Sequence, residues 1–326
     1  VTTAGIRLIM KLPLPRGTLS EALIDVLSGA GNALPATAEP DDDDDLQLSL
    51  FVCYEPAYRS WDGVDDSWEW NLDLLRLRAG LEERFAAALG SPEPADPQTV
   101  PAALSAIVAA DDGPPLSKVL RGRATREQFR EFVIHRSIYH AREADPHTWA
   151  IPRLGGRAKA ALIEIQLDEY GGGVTDRMHQ ELFKQTMGWF DLDLTYGAYV
   201  NSVGAPTLAV NNLMSYFGLH RARRGALLGH LAAYEMTSSL PNRAYGNGLR
   251  RLGGDARATA FYDEHVEADA VHEQIAAHDL CGTFARAEPD LAGQVLWGAR
   301  CALAVDNLWA GAVLNDWAAG RTSLRN

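Results

Sequence analysis

The stretch Phe261-Tyr-Asp-Glu-His-Val-Glu-Ala-Asp-Ala-Val-His272 places two histidines and an aspartate at i, i+4 and i+7. In a helix turning about 100° per residue, His265, Asp269 and His272 fall near 0°, 40° and −20°, all on one face. Two imidazoles and a carboxylate converging this way make a ligand set for iron, manganese or zinc. Asp263, Glu264, Glu267 and Glu273 point mostly elsewhere, toward water. A solvated helix face is the plainer reading of such a triplet, so the rest of the chain has to decide.

Working outward, Glu164-Ile-Gln-Leu-Asp-Glu-Tyr170 ends an apolar-periodic stretch, three glycines follow, and His179 stands ten residues beyond Glu169. Consecutive glycines break helices, and so short a turn predicts antiparallel neighbours with Glu169 facing His179. Glu143 ends another apolar helix beside Asp145-Pro146. Glu235 is flanked by Leu231, Ala232 and Met236, where an uncompensated carboxylate would be costly to desolvate. Four carboxylates and three histidines on several helices are a dinuclear inventory. Two ferrous ions (+4) would neutralise Glu143, Glu169, Glu235 and Asp269 (−4) if the histidines are uncharged. Emptied, the same set should take up protons and loosen the local helices.

Helical periodicity runs through 126–144, 155–170, 174–188, 206–219, 222–240, 256–278 and 288–318. Thr125 with Gln128 forms a capping-box pattern, and Pro206 suits a first turn. No solenoid period, phosphate-binding loop or dinucleotide fingerprint occurs. The 326 residues are 47% hydrophobic and 22% charged, the composition of an ordered globular chain. A formal charge of −13 argues against a nucleic-acid partner. No stretch reads as a membrane span or a signal sequence, and three scattered cysteines suit a reducing cytoplasm.

Residues 1–97 read as an amino-terminal extension and 98–326 as the helical domain, with breaks at Gly29 to Asp45 and Gly90 to Pro97. The aspartates Asp41 to Asp45 predict an exposed, solvated loop, and Leu46 to Val52 a short strand or extended segment. Tyr54, Tyr58, Trp61, Trp68 and Trp70 suggest an aromatic collar packed on the main domain.

Together these motifs resemble the haem-oxygenase-like di-iron oxidases and oxygenases, often called iron-containing redox enzymes. The resemblance covers about residues 120 to 318. Its ligand pattern matches Glu143 in Arg142-Glu-Ala-Asp-Pro-His147, then Glu169 and His179. Glu235 follows in Tyr234-Glu-Met-Thr237, and the set closes with His265, Asp269 and His272. The pattern departs from ferritin-type bundles, which carry two Glu-x2-His pairs. The resemblance implies an all-α, haem-oxygenase-like seven-helix bundle, here with a small mixed amino-terminal extension. It also implies two iron ions, O2 as co-substrate and a small-molecule substrate, with an external electron donor and a homodimer as further expectations. One iron would take Glu143, Glu169 and His179, the other His265, Asp269 and His272, with Glu235 shared or nearby.

N-oxygenation of amines, oxidative decarboxylation of fatty acids, and desaturation or carbon–carbon cleavage of amino acids are the reactions this implies. Arg142 and Arg243 are candidates for a substrate carboxylate, although ion pairing is their plainer role. Tyr139, Tyr170, Tyr234 and Tyr245 are candidate hydrogen-bond donors or radical relays; Asn211, Asn212 and Met214 are candidate cavity residues. His147, His220 and His230 are set aside as non-ligands. Asp168 is expected to point away from the site, and it and Glu164 to meet Arg153, Arg157 or Lys159. Haem binding through His135 or His140, or a cysteine nucleophile at Cys281 or Cys301, would leave the seven-residue set unexplained. A non-catalytic metal-binding scaffold and a mononuclear iron enzyme are the competing readings.

Overall fold

The computed structural model describes residues 10–325, with the side chains of 267–270 outside the description. The helices run α1 (Thr18–Leu27), α2 (Asp43–Tyr54), α3 (Leu72–Leu89), α4 (Val100–Ala109), α5 (Leu116–Gly122) and α6 (Arg126–His140). There follow α7 (Asp145–Thr148), α8 (Gly156–Glu169), α9 (His179–Trp189), α10 (Ala205–Leu219), α11 (Arg224–Thr237) and α12 (Ser239–Arg251). Next come α13 (Ala256–Gln274), a π-helical segment (Ile275–Gly282), α14 (Thr283–Ala287) and α15 (Ala292–Ala318). Among the described residues there is no strand, only an isolated bridge between Met10 and Trp61. The fold is all-α, as expected, but the extension is helical rather than mixed.

That difference has a local cause. Residues 46–52 belong to α2, whose Leu48, Leu50, Phe51 and Val52 are all buried. A helix enclosed on every side loses its polar stripe, and a short apolar run then reads equally well as a strand. The aspartates before it are ordered too. Asp42 accepts a hydrogen bond from the Asp45 N–H as the N-cap of α2. Asp45 is fully buried and accepts from the N–H groups of Leu19 and Ser20 in the first turn of α1. Asp44 accepts from the Ala205 N–H at the start of α10 and pairs with Arg16 and Arg325. The like charges are tolerated because they are shared among three helix N-termini, where backbone N–H groups and the helix dipole favour anions.

The hydrophobic core runs without interruption from Leu19, Leu48 and Phe85 to Phe132, Leu228 and Trp309. Helices α11 and α15 pack most extensively; α13 packs on α12 and α9, and α2 on α10. Of the aromatic collar, Tyr54 and Trp61 are buried and Trp70 is exposed. The stretch 222–240 is not one helix: it breaks at Ser238, and α12 follows despite Pro241, Gly246 and Gly248. No helix among the described residues is long and apolar enough to cross a membrane.

Candidate metal centre

The capping box of Thr125 and Gln128 starts α6, which ends at His140. Pro146 opens α7, so Glu143 falls in the irregular turn between them, buried to 7% exposure. Gln166 of α8 steadies this turn by donating to the Ala144 carbonyl at 3.0 Å. Glu169 is the last residue of α8. Gly171, Gly172 and Gly173 then adopt φ of 61°, 63° and 82°, a left-handed path open to glycine at little cost. The reversal delivers His179 as the first residue of α9, with Nδ1 3.0 Å from Glu169 Oε2. The two helices meet at these ends rather than lying face to face; α9 packs on α13 and α6, and α8 on the π-helical segment.

His265 reaches the same point from α13. Its Nδ1–H donates to the Phe261 carbonyl at 2.8 Å, which leaves Nε2 as the lone-pair nitrogen, 3.6 Å from Glu143 Oε1. One potential ligand atom from each of Glu143, Glu169, His179 and His265 lies within 4.8 Å of all the others. His265 therefore joins the Glu143 group, not the partition expected from the sequence. Glu143 Oε2, Glu169 Oε2 and His179 Nδ1 are buried yet accept or donate no aligned hydrogen bond. The carboxylates and imidazoles converge with only the 3.0 Å Glu169–His179 and 3.6 Å Glu143–His265 contacts among them, an arrangement that fits a cation.

Beside this group, His272 Nδ1 lies 3.3 Å from Glu235 Oε2, and its Nε2 is 2.9 Å from Asp168 Oδ2. Asp168 does not point away to an arginine. Arg153 donates to the carbonyls of Gly218 and Leu219, Arg157 pairs with Asp279, and Glu164 is exposed. Asp269 lies on α13, but its side chain is outside the described residues.

The electrostatics are those of a metal-free cluster. Burial opposes ionisation of Glu143, but His140 and His265 beside it hold its carboxyl well below the usual range. Burial likewise disfavours a charged His179, yet Glu169 raises its pKa. For His272 burial is again outweighed, by Glu235 and then Asp168, and its pKa is lifted to about 9. A cation would replace these protons.

The sequence reading did not place His140 here. Its Nδ1 lies 2.8 Å from Glu143 Oε1, and it borders the cavity. No helical spacing signals it, because Glu143 lies past the end of α6. Arg142 is committed to Glu55 at 2.8 Å, and Arg243 is exposed, so neither reaches a substrate at the site. Asn212 donates to the carbonyl and Oε1 of Gln47, Asn211 to the Thr207 carbonyl, and neither they nor Met214 line the cavity. Tyr139, Tyr234 and Tyr245 do line it, whereas Tyr170 bonds Asp145 and Thr148. The cavity, about 580 Å³, has Glu143, Glu169, Glu235, His140 and His265 in its wall.

The haem and thiol alternatives meet specific obstacles. His135 is occupied at both nitrogens, by Thr207 and Ser323. Burial pushes the Cys281 thiol far up and Cys301 to about 12, the opposite of an activated nucleophile. His147 and His230 bond each other at 3.1 Å, and His220 meets Glu82.

The all-α fold gathers buried carboxylates and imidazoles that could hold a metal ion beside a cavity. The chain belongs to the iron-containing redox enzyme family, whose model matches residues 130–307, and its fold is the haem-oxygenase-like all-α one. It is also 27% identical over 179 residues to the nitrosourea synthase of Streptomyces achromogenes subsp. streptozoticus. That match covers 54% of this chain and 38% of the synthase, so the synthase is much the longer protein.

Proposed function

We propose that the protein is a non-haem di-iron enzyme that uses O2 to oxidise a small amine, amino acid or fatty-acid-like substrate. The observation that carries this reading is the convergence of Glu143, Glu169, His179 and His265 within 4.8 Å, with Glu235 and His272 paired alongside. The first four would hold one iron. Glu235 and His272, with Asp269 by its place in the α13 pattern, would hold the second. Bound iron supplies the electron-transfer steps by which O2 is reduced and substrate oxidised.

The protein's own part is orientation and proton holding. The Phe261 carbonyl fixes the His265 tautomer, and Asp168 does the same for His272. His140 donates to Glu143 and can hold or release a proton at the cavity wall. The synthase relative makes a nitrosourea, which brings oxidation at nitrogen forward among the candidate reactions.

Anaerobic titration of metal-free protein with Fe(II), followed by O2 uptake, tests the reading. Two irons per chain and O2 consumption coupled to iron oxidation are expected. One iron per chain would favour the mononuclear alternative, for which the four-residue cluster alone suffices. Stoichiometric binding without O2 consumption would leave only a metal-binding scaffold.

A further inference from the structure

Arg59 lies in the turn after α2, yet its guanidinium reaches the chain beside two of the four converging residues. Its Nη2 is 3.4 Å from the Ala141 carbonyl, 3.3 Å from Asp145 Oδ2 and 3.4 Å from Gln180 Oε1. Ala141 and Asp145 stand two residues before and after Glu143, and Gln180 follows His179. The other oxygen of Asp145 accepts from the Tyr170 hydroxyl at 2.9 Å, and Tyr170 follows Glu169. The sequence neighbours of Glu143, Glu169 and His179 are thus joined in one network, and its centre comes from the amino-terminal extension.

The carbonyls at a helix C-terminus attract cations, which accounts for the contact with Ala141 alone. The ion pair with Asp145 is partly exposed, and such pairs add little stability. What one nitrogen shared by three acceptors does fix is the relative placement of the segments that carry them. The Tyr196 ring lies 4.3 Å from the guanidinium and holds the fork in that place. The gap that Arg59 lines with Gln180 and Tyr196 measures about 10 Å³, room for a single water and not for a second arrangement of the side chain.

We propose that Arg59 is a positioning residue of the metal centre. It sets the separation of Glu143 from His179 and, through Asp145 and Tyr170, the bearing of Glu169. The amino-terminal extension thereby serves the site without touching the metal. His265, held by the Phe261 carbonyl, is independent of it. This inference rests on the metal-binding part of the proposed function and not on its O2 chemistry. Glu169 and His179 meet at 3.0 Å and Glu143 and His265 at 3.6 Å, so the placement of one pair against the other has to be held from behind.

Titration of the metal-free full chain with Co(II), whose visible bands report coordination geometry, tests this. Chelator competition gives the affinity, H179A identifies the site, and the metal-free thermal midpoint reports the fold. R59A should weaken Co(II) at that site by about tenfold or more and alter its bands, with a midpoint close to the parent's. D145N should act in the same direction, and the double variant should lose less than the two single losses added together. R59K keeps the charge but not the fork and should fall between R59A and the parent. R126A is the control. Arg126 also stacks on a ring, 3.8 Å from that of Trp189, and donates to a backbone carbonyl, but outside this network. Parental affinity and bands in R59A, or an equal loss in R126A, would overturn the proposal. Should R59A fail to fold, parental Co(II) binding in both R59K and D145N would overturn it. A parent chain that binds no Co(II) would bring down the metal-site reading and this one with it, whereas firm parental binding untouched by R59A removes this one alone.

Discussion

His272 donates from Nε2 to Asp168 Oδ2 across 2.9 Å, which turns Nδ1 toward Glu235 Oε2 at 3.3 Å. Asp168 and Glu169 are consecutive at the end of α8, yet Asp168 orients an imidazole from α13 while Glu169 faces one from α9. A carboxylate behind a ligating histidine fixes its tautomer and raises its basicity, and its loss costs about 10–100-fold in metal affinity. On the proposed assignment, D168N should therefore lower the affinity of the His272–Glu235 site for iron by about that factor and leave the Glu143–Glu169–His179–His265 site unchanged. Chelator competition on D168N, with H179A as the reciprocal control, reads both sites. Equal weakening of both irons, or of neither, contradicts the assignment.

The segment before residue 97 contributes directly to the turn that carries Glu143. Glu55 accepts from Arg142 at 2.8 Å and from the Tyr196 hydroxyl at 3.0 Å, and Arg142 and Glu55 are fully enclosed. E55A would strand a buried guanidinium, which should cost about 3–5 kcal/mol in urea unfolding. E55Q keeps an acceptor and should cost less. If both variants unfold at the wild-type midpoint, the Arg142 side chain escapes to water and the pair does not anchor Glu143.

What the sequence made legible follows from which features are fixed by local geometry. The 3.6-residue repeat puts His265 and His272 on one face, and three glycines force the reversal between Glu169 and His179, so both could be foreseen. Asp168 and His140 could not, because each neighbours a ligand in sequence and only packing decides which way it turns. Of the aspartate run, Asp41 to Asp43 are exposed as expected, but Asp44 and Asp45 turn inward because their partners, the N–H groups of α1 and α10, are distant in the chain. Helix α2 was misread because burial on all sides erased its period.

Stability of the metal-free protein should fall as pH drops from about 6.5 toward 4.5. Burial lowers His135 and His147 to about 4 and holds His230 lower still, so all three stay neutral when folded and charge when unfolded. A depressed folded pKa makes the unfolded state the better proton binder in this window, which favours unfolding. Glu55 acts in the opposite sense. Burial raises it to about 7, so it contributes stability that is present at low pH and lost as pH rises through 7. Burial lowers His140 as well, so four histidines oppose Glu55 and the net is about three protons, or roughly 2–4 kcal/mol lost per pH unit. Urea midpoints at pH 7, 6 and 5 check the sign; a rising midpoint on acidification would show that these histidines are protonated in the native state.

The approach of α11 to α15 sets the distance between the Glu235 and Asp306 sides of the cavity. A Cβ on Gly229 would overlap the Val295 carbonyl, and one on Gly298 the Ala226 carbonyl, so each helix presses backbone into the other's missing side chain. In an open helix, Gly→Ala gains up to about 1 kcal/mol from propensity. At Gly229 the obstacle is backbone, which cannot rotate aside, and overpacking of this kind costs about 1–3 kcal/mol. G229A should therefore destabilise the protein and, by spreading the helices that carry Glu235 and Asp306, weaken metal and ligand binding together. Gly188 of α9 has nothing within 4 Å of its Cβ position, so G188A should be neutral or stabilising. Opposite shifts in thermal midpoint for these two identical chemical changes would isolate the close approach as the cause. A stabilised G229A with unchanged iron affinity would mean that the helices can part without disturbing the cavity between them.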